Sequence, residues 1–169
     1  MTTAVNPAAP APGRMRRSAR MARGFARMPA GDKLMLLPAW LLLLGAALGL
    51  RLVPFRRLSV LLGHQLGAIA CVPLADPGEE ARARLVKRAI RRAARLAPLR
   101  SDCLPQALAG AVLCRLLGVP TTAHLGVRLG DDPGFLAHAW LCSGRVAVTG
   151  GTSFDDYVAV SCFAAGGPR

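Results

Sequence analysis

Two short stretches hold the residue types of a thiol nucleophile and its base: Ser101-Asp102-Cys103-Leu104-Pro105-Gln106-Ala107-Leu108 and, beginning 34 residues after the cysteine, Ala137-His138-Ala139-Trp140. A polar residue just ahead of a cysteine sets that cysteine in the first turn of a helix. There the backbone N–H groups lack partners and the helix dipole favours an anion. A sulfur so placed is biased toward thiolate, the form that attacks a carbonyl carbon. An imidazole completes the chemistry by taking the thiol proton and later giving it to a leaving amine. His138 lies in an alternating, strand-like stretch, so only the fold can bring it to Cys103.

The other reactive residues are less well placed. Cys71, Cys114, Cys142 and Cys162 are read as small apolar packing residues. Five cysteines at irregular spacing form no disulfide framework, and no cysteine or histidine pair stands at metal-ligand spacing, so no metal is expected. His64 sits among glycines and leucines near an expected helix end. His124 falls on the polar side of an expected strand. Both read as structural or solvated residues.

The elements that must position the pair follow from periodicity. Pro73 to Gly78 breaks the chain, and a helix follows at about 79–97. Glu79 and Glu80 in its first turn and arginines toward its end match the helix dipole. Its apolar stripe is Leu85, Ala89, Ala93 and Leu96; the arginines between them form either a solvated face or a docking surface for an acidic partner. Ser101-Asp102 starts the next helix, 103–117. Pro105 is tolerated in its first turn and Gly118 stops it. Alternation then predicts strands at 121–129, 135–142 and 145–149, joined by Gly130–Gly134 and Ser143-Gly144. A helix followed by an antiparallel meander is an α+β layout, with the nucleophile at a helix N-terminus packed on a small antiparallel sheet.

Upstream, residues 1–33 carry six arginines and Lys33 against Asp32 and are expected to be a basic, largely disordered tail. The folded domain is expected over 34–169. The segment 79–100 holds a second basic block, and together the two account for nearly all of the +13 net charge. Leu34 to Leu50 run without a charge, about the lower limit for a membrane span. Pro38, Gly45 and Gly49 interrupt the run, and positive charge flanks both ends. The favoured reading is a buried apolar helix with peripheral membrane contact, continuing into an amphipathic piece at 56–67. With only 5% aromatics and no stacking platform, nucleic acid is not expected as a partner.

The motifs Ser-Asp-Cys-Leu-Pro-Gln-Ala-Leu, Leu-Leu-Gly-Val-Pro, His-Leu-Gly-Val-Arg and Ala-His-Ala-Trp, in that order, resemble the transglutaminase-like B proteins of lasso-peptide biosynthesis over about residues 34–163. The apolar segment ending in Pro-Phe-Arg-Arg-Leu and the closing Tyr157 to Phe163 share the resemblance. It implies a papain/transglutaminase-like core, preceded by apolar and basic helices, and a cysteine peptidase that removes the leader from a ribosomally made precursor before a partner synthetase closes the macrolactam. It further implies Cys103 as nucleophile and His138 as base. No cofactor is implied, and the nucleotide requirement is left open. Nothing in 1–33 is long or apolar enough to be the leader-recognition domain, so a separate recognition protein is expected beside the lasso precursor and the macrolactam synthetase. The location implied is cytoplasmic, with membrane association allowed by the apolar segment. The family's orienting aspartate falls on Gly150 here, and Asp155 and Asp156 are the nearest carboxylates to take that role or to cap the final segment. Two other readings share these residues: an acyl transferase on the same fold, and a basic peripheral-membrane or scaffold protein in which Cys103 and His138 merely pack.

Overall fold

The computed structural model describes residues 28–98, 102–129, 134–151 and 155–166. The first helix, α1 (Ala30–Leu52), presents Ala39, Leu43 and Ala47 at four-residue spacing to the interior. Its opposite face leaves Leu34, Leu37, Leu41, Leu48 and Leu52 exposed. Of the tail expected over 1–33, residues 1–27 lie outside the described residues, and residues 30–33 form the first turn of this helix. The helix starts at Ala30, and Asp32 in its first turn is only 2% exposed. The arginine helix supplies the reason. Arg88 grips the Asp32 carboxylate through Nε and a terminal nitrogen, the latter at 2.9 Å, and Arg92 adds a further ion pair.

That pairing carries a pH dependence. Hydrogen bonding from Arg88 holds the Asp32 carboxyl below its ordinary value; burial opposes this, and Arg92 reinforces it. A carboxyl whose pKa falls on folding adds stability above its unfolded pKa and loses it as pH falls through the folded one. Asp32→Asn is therefore expected to lower the urea midpoint at pH 7. The gap from wild type should close progressively below about pH 4, the unfolded carboxylate range.

The chain after α1 divides the amphipathic piece expected at 56–67 into three short elements. It forms a one-turn helix α2 (Phe55–Leu58), a 3-10 turn at Ser59–Leu62 and the strand β1 (His64–Gly67). Gly63 causes the switch. Its φ of 116° ends helical geometry, and a side chain there would stand 2.2 Å from the Ala164 carbonyl oxygen. His64 thus lies on a strand rather than near a helix end.

The helix α3 (Pro77–Leu96) opens with a reciprocal cap. Asp76 Oδ1 accepts from Glu79 N–H, Glu79 Oε2 accepts from Asp76 N–H, both at 2.8 Å, and Pro77 takes the first helical position. Ala83, Val86, Ala89, Ile90 and Ala93 form its buried stripe. Leu96, expected in that stripe, is exposed. Glu80 binds both Arg84 at 2.6 Å and the Arg145 N–H at 2.9 Å, fastening α3 to the sheet.

The helix α4 (Cys103–Leu116) precedes β2 (Thr121–Leu129), β3 (Phe135–Ser143), β4 (Val146–Thr149) and β5 (Val158–Ala165). All pairings are antiparallel, in the order β1-β5-β2-β3-β4. The α+β architecture expected from the periodicities is therefore present, with β1 and β5 added to the meander. α3 and α4 cover one face of the sheet and α1 packs across these two helices, around a core that includes Leu43, Ile90, Leu108, Leu141 and Phe163. Segment 68–76 lies over the other face. The Thr122 hydroxyl donates to the Cys71 carbonyl at 2.9 Å, and the Gly144 N–H to the Pro73 carbonyl at 3.2 Å.

Candidate active site

Cys103 is the first residue of α4 and is half-buried. Its N-cap, Asp102, has extended geometry and makes no side-chain capping bond; Ser101 lies outside the described residues. The Gln106 N–H bonds back to the Asp102 carbonyl at 3.4 Å, and Pro105 has no N–H to satisfy. The N–H groups of Cys103 and Leu104 are then the ones a helix start leaves outside its own bonding ladder. An anion forming on a carbonyl attacked by Cys103 would meet those donors.

His138 is the fourth residue of β3, where the strand passes from exposed residues into the core, and it is half-buried. Its Nε2 lies 2.9 Å from the Gly150 carbonyl oxygen. A carbonyl only accepts, so Nε2 is the donor of this bond, and in the neutral ring that tautomer leaves the Nδ1 lone pair for a general base. Trp140 and Tyr157 flank the ring at centroid distances of 6.2 and 5.0 Å, and the Arg128 guanidinium lies over Tyr157.

The helix and strand share a register. A side chain on Gly110 would stand 3.0 Å from Leu141. Cys103 lies seven residues before Gly110, about 10 Å at helical rise, and His138 three before Leu141, about 10 Å at strand rise. α4 turns into β2 over four residues, and Thr122 pairs with Cys142, so the helix start points away from the Cys142 end of β3. Cys103 and His138 thus belong to the same end of the helix and sheet pair. By alternation His138 shares the face of Trp140, while Leu141 faces α4. No hydrogen bond joins Cys103 to His138 among the described residues: the two share an end of the sheet, with the ring on the face opposite the one α4 packs on.

Asp155 and Asp156 are exposed in the turn before β5, and among the described residues neither has a hydrogen-bond or ion-pair partner. The His138 ring is met instead by the backbone of the very residue, Gly150, that replaces the expected aspartate. Gly150 has a φ of 75°, and a side chain there would stand 2.6 Å from both the Ala139 oxygen and Trp140 Cβ. A residue-type search cannot find a carbonyl partner. A glycine in an aspartate slot was the only signal available.

The remaining candidates separate on burial. Desolvation pushes the Cys114 thiol up to about 12 and Cys142 up to about 11. Cys162 is pushed up to about 12 by burial and by Cys71 beside it. Such thiols make poor nucleophiles near neutral pH. His124 is fully buried, not on a solvated face, because segment 68–76 covers that side of the sheet; burial pulls its pKa down. Its ring stacks on Trp140 at 5.2 Å. Cys71 and Cys162 place their sulfurs 3.4 Å apart, and with His124 they form a group of three metal-capable side chains. Linear spacing had shown no such group, because the three come from a loop and two strands.

A family profile described as the transglutaminase-like superfamily matches residues 49–162, which include α2, α3, α4 and most of the sheet. No curated protein and no solved structure matches the chain. Proteins of this superfamily are typically cysteine-protease-like, and a cysteine at a helix start with a histidine on the following sheet is the arrangement described above. On the length and position of that match, the chain belongs to the transglutaminase-like superfamily.

Proposed function

We propose that this protein is a cysteine peptidase that removes the leader from a lasso-peptide precursor. The single observation that carries the catalytic part is the His138 ring, held by its Nε2 on the Gly150 carbonyl at the end of the sheet to which Cys103 belongs. In the first step Nδ1 takes the Cys103 proton and the sulfur attacks the carbonyl that closes the leader. The C–N bond breaks as the imidazolium returns its proton to the core peptide's amine. Water then hydrolyses the thioester with His138 again as base. The choice of a lasso precursor rests on the ordered motifs around Cys103 and His138.

In this reading a separate recognition protein delivers the precursor, and a macrolactam synthetase consumes the freed core. The exposed leucine face of the 23-residue helix α1 suits a peripheral contact with a membrane from the cytoplasmic side. The test is to incubate the purified chain with precursor and recognition protein and follow the masses. Release of intact leader and core is expected. An unchanged precursor in the complete mixture would contradict the proposal.

Gly150, not a carboxylate, is the orienting group in this account. Asp155→Asn and Asp156→Asn are each expected to keep kcat/KM within about threefold of wild type, in line with exposed surface changes away from the site. A fall of about a hundredfold or more in either would assign that aspartate to the histidine after all, by the scale of a lost orienting partner.

A further inference from the structure

Behind Trp140, on the face covered by segment 68–76, three side chains with metal-ligand chemistry meet and have no part in the proposed peptidase mechanism. Cys71 comes from that segment, His124 from the middle of β2 and Cys162 from β5, where it is the direct cross-strand partner of His124. One ligand atom from each lies within 4.8 Å of the other two, and the two sulfurs are 3.4 Å apart. A tetrahedral zinc site with Zn–S near 2.3 Å and Zn–N near 2.0 Å separates its ligand atoms by roughly 3.5–3.8 Å. Closing the group onto one ion therefore takes a displacement of about an ångström shared among three side chains, by the same geometry.

Orientation and charge agree. His124 Nε2 accepts a long 3.4 Å bond from the Cys71 N–H, so its lone pair already points toward the loop that carries the first sulfur. Stacking on Trp140 fixes the ring plane, and the Thr122 bond to the Cys71 carbonyl fixes the loop. His124 and Cys162 are both fully buried. Two thiolates and a neutral imidazole around a divalent ion have no net charge, the arrangement a buried site tolerates best; a monovalent ion would leave one negative charge uncompensated.

We propose that Cys71, His124 and Cys162 form a structural site for a zinc-class divalent cation, with water as the fourth ligand. Binding displaces the two thiol protons into solvent and forms two metal–sulfur bonds and one metal–nitrogen bond. The ion staples segment 68–76 across β2 and β5. Because Trp140 stacks against both His124 and His138, the staple braces the wall behind the catalytic ring without touching substrate.

The test titrates the reduced, full-length chain with Co2+ and then Zn2+. One Co2+ per chain is expected, with the intense thiolate-to-cobalt band in the near ultraviolet, displaced by one Zn2+. Cys71→Ser, on a half-buried loop, is expected to retain the fold by circular dichroism while losing most of that band and binding Zn2+ about tenfold or more weakly, at least the scale of a disturbed metal shell. Cys103→Ser should bind as wild type does. Absence of stoichiometric binding, or binding unchanged in Cys71→Ser, would overturn the proposal. So would a Cys71–Cys162 disulfide found by non-reducing peptide mapping of the chain as isolated from cells.

Discussion

Cys103→Ala is expected to lower the rate of leader hydrolysis by about 10⁴-fold or more, the scale seen when a covalent nucleophile is removed. The loss should be purely chemical. The side chain is small, half-buried at a helix start, and absent from the buried core, so the variant should unfold at nearly the wild-type denaturant concentration. His138→Ala should fall by a similar factor, because in the proposed mechanism the imidazole both takes the thiol proton and returns it to the leaving amine. The double variant should be little worse than either single one, since two groups that act in one step are not additive. Parallel measurements of kcat/KM and urea midpoint check both halves. Independent, multiplying losses would mean that the two residues do not work as a unit.

The second large effect is on stability. Trp140→Ala is expected to cost about 3–5 kcal/mol, the range for deleting a buried tryptophan. Trp140 is completely buried between the His124, His138 and Tyr157 rings. The neighbouring strand is shaped to admit it: a side chain on Gly126 would stand 2.6 Å from the indole. Removing the ring therefore leaves a cavity that the opposite backbone cannot fill. Trp140→Phe should recover part of the stability. Because the indole also backs His138, both variants should lose activity even under conditions where they remain folded. Equilibrium urea unfolding measures the first effect and kcat/KM at low temperature the second. A Trp140→Ala cost below about 1 kcal/mol, the level of an ordinary surface change, would contradict this packing role.

Much of the fold was legible because its elements follow local rules. Glu79 and Glu80 mark the first turn of α3, which begins two residues earlier at Pro77; Asp102-Cys103 with Pro105 marks the start of α4, and alternation marks β2 and β3 to within a residue. What was hidden depends on contacts distant in the chain. Phe55 to Gly67 contains enough leucine and arginine to look like one amphipathic helix; only the close approach of β5 at Gly63 turns it into a strand. Asp32 looks like a tail residue until Arg88 and Arg92, more than fifty positions later, bury it. His124 alternates onto a face that would be wet if segment 68–76 did not cross it. The site divides in the same way. Cys103 and His138 stand out as candidates by residue type and order, whereas the group that meets the imidazole is a backbone oxygen and leaves no side-chain signature.

The proposed mechanism requires that the leader becomes attached to Cys103. Its most direct test is a single-turnover reaction of wild-type chain, precursor and recognition protein, quenched in acid and mapped by peptide mass spectrometry. A leader acyl group is expected on the Cys103 peptide, labile to hydroxylamine as a thioester is, appearing before free leader and absent in Cys103→Ala. A leader adduct on Cys71, Cys114, Cys142 or Cys162, with free leader still formed by Cys103→Ala, would contradict it.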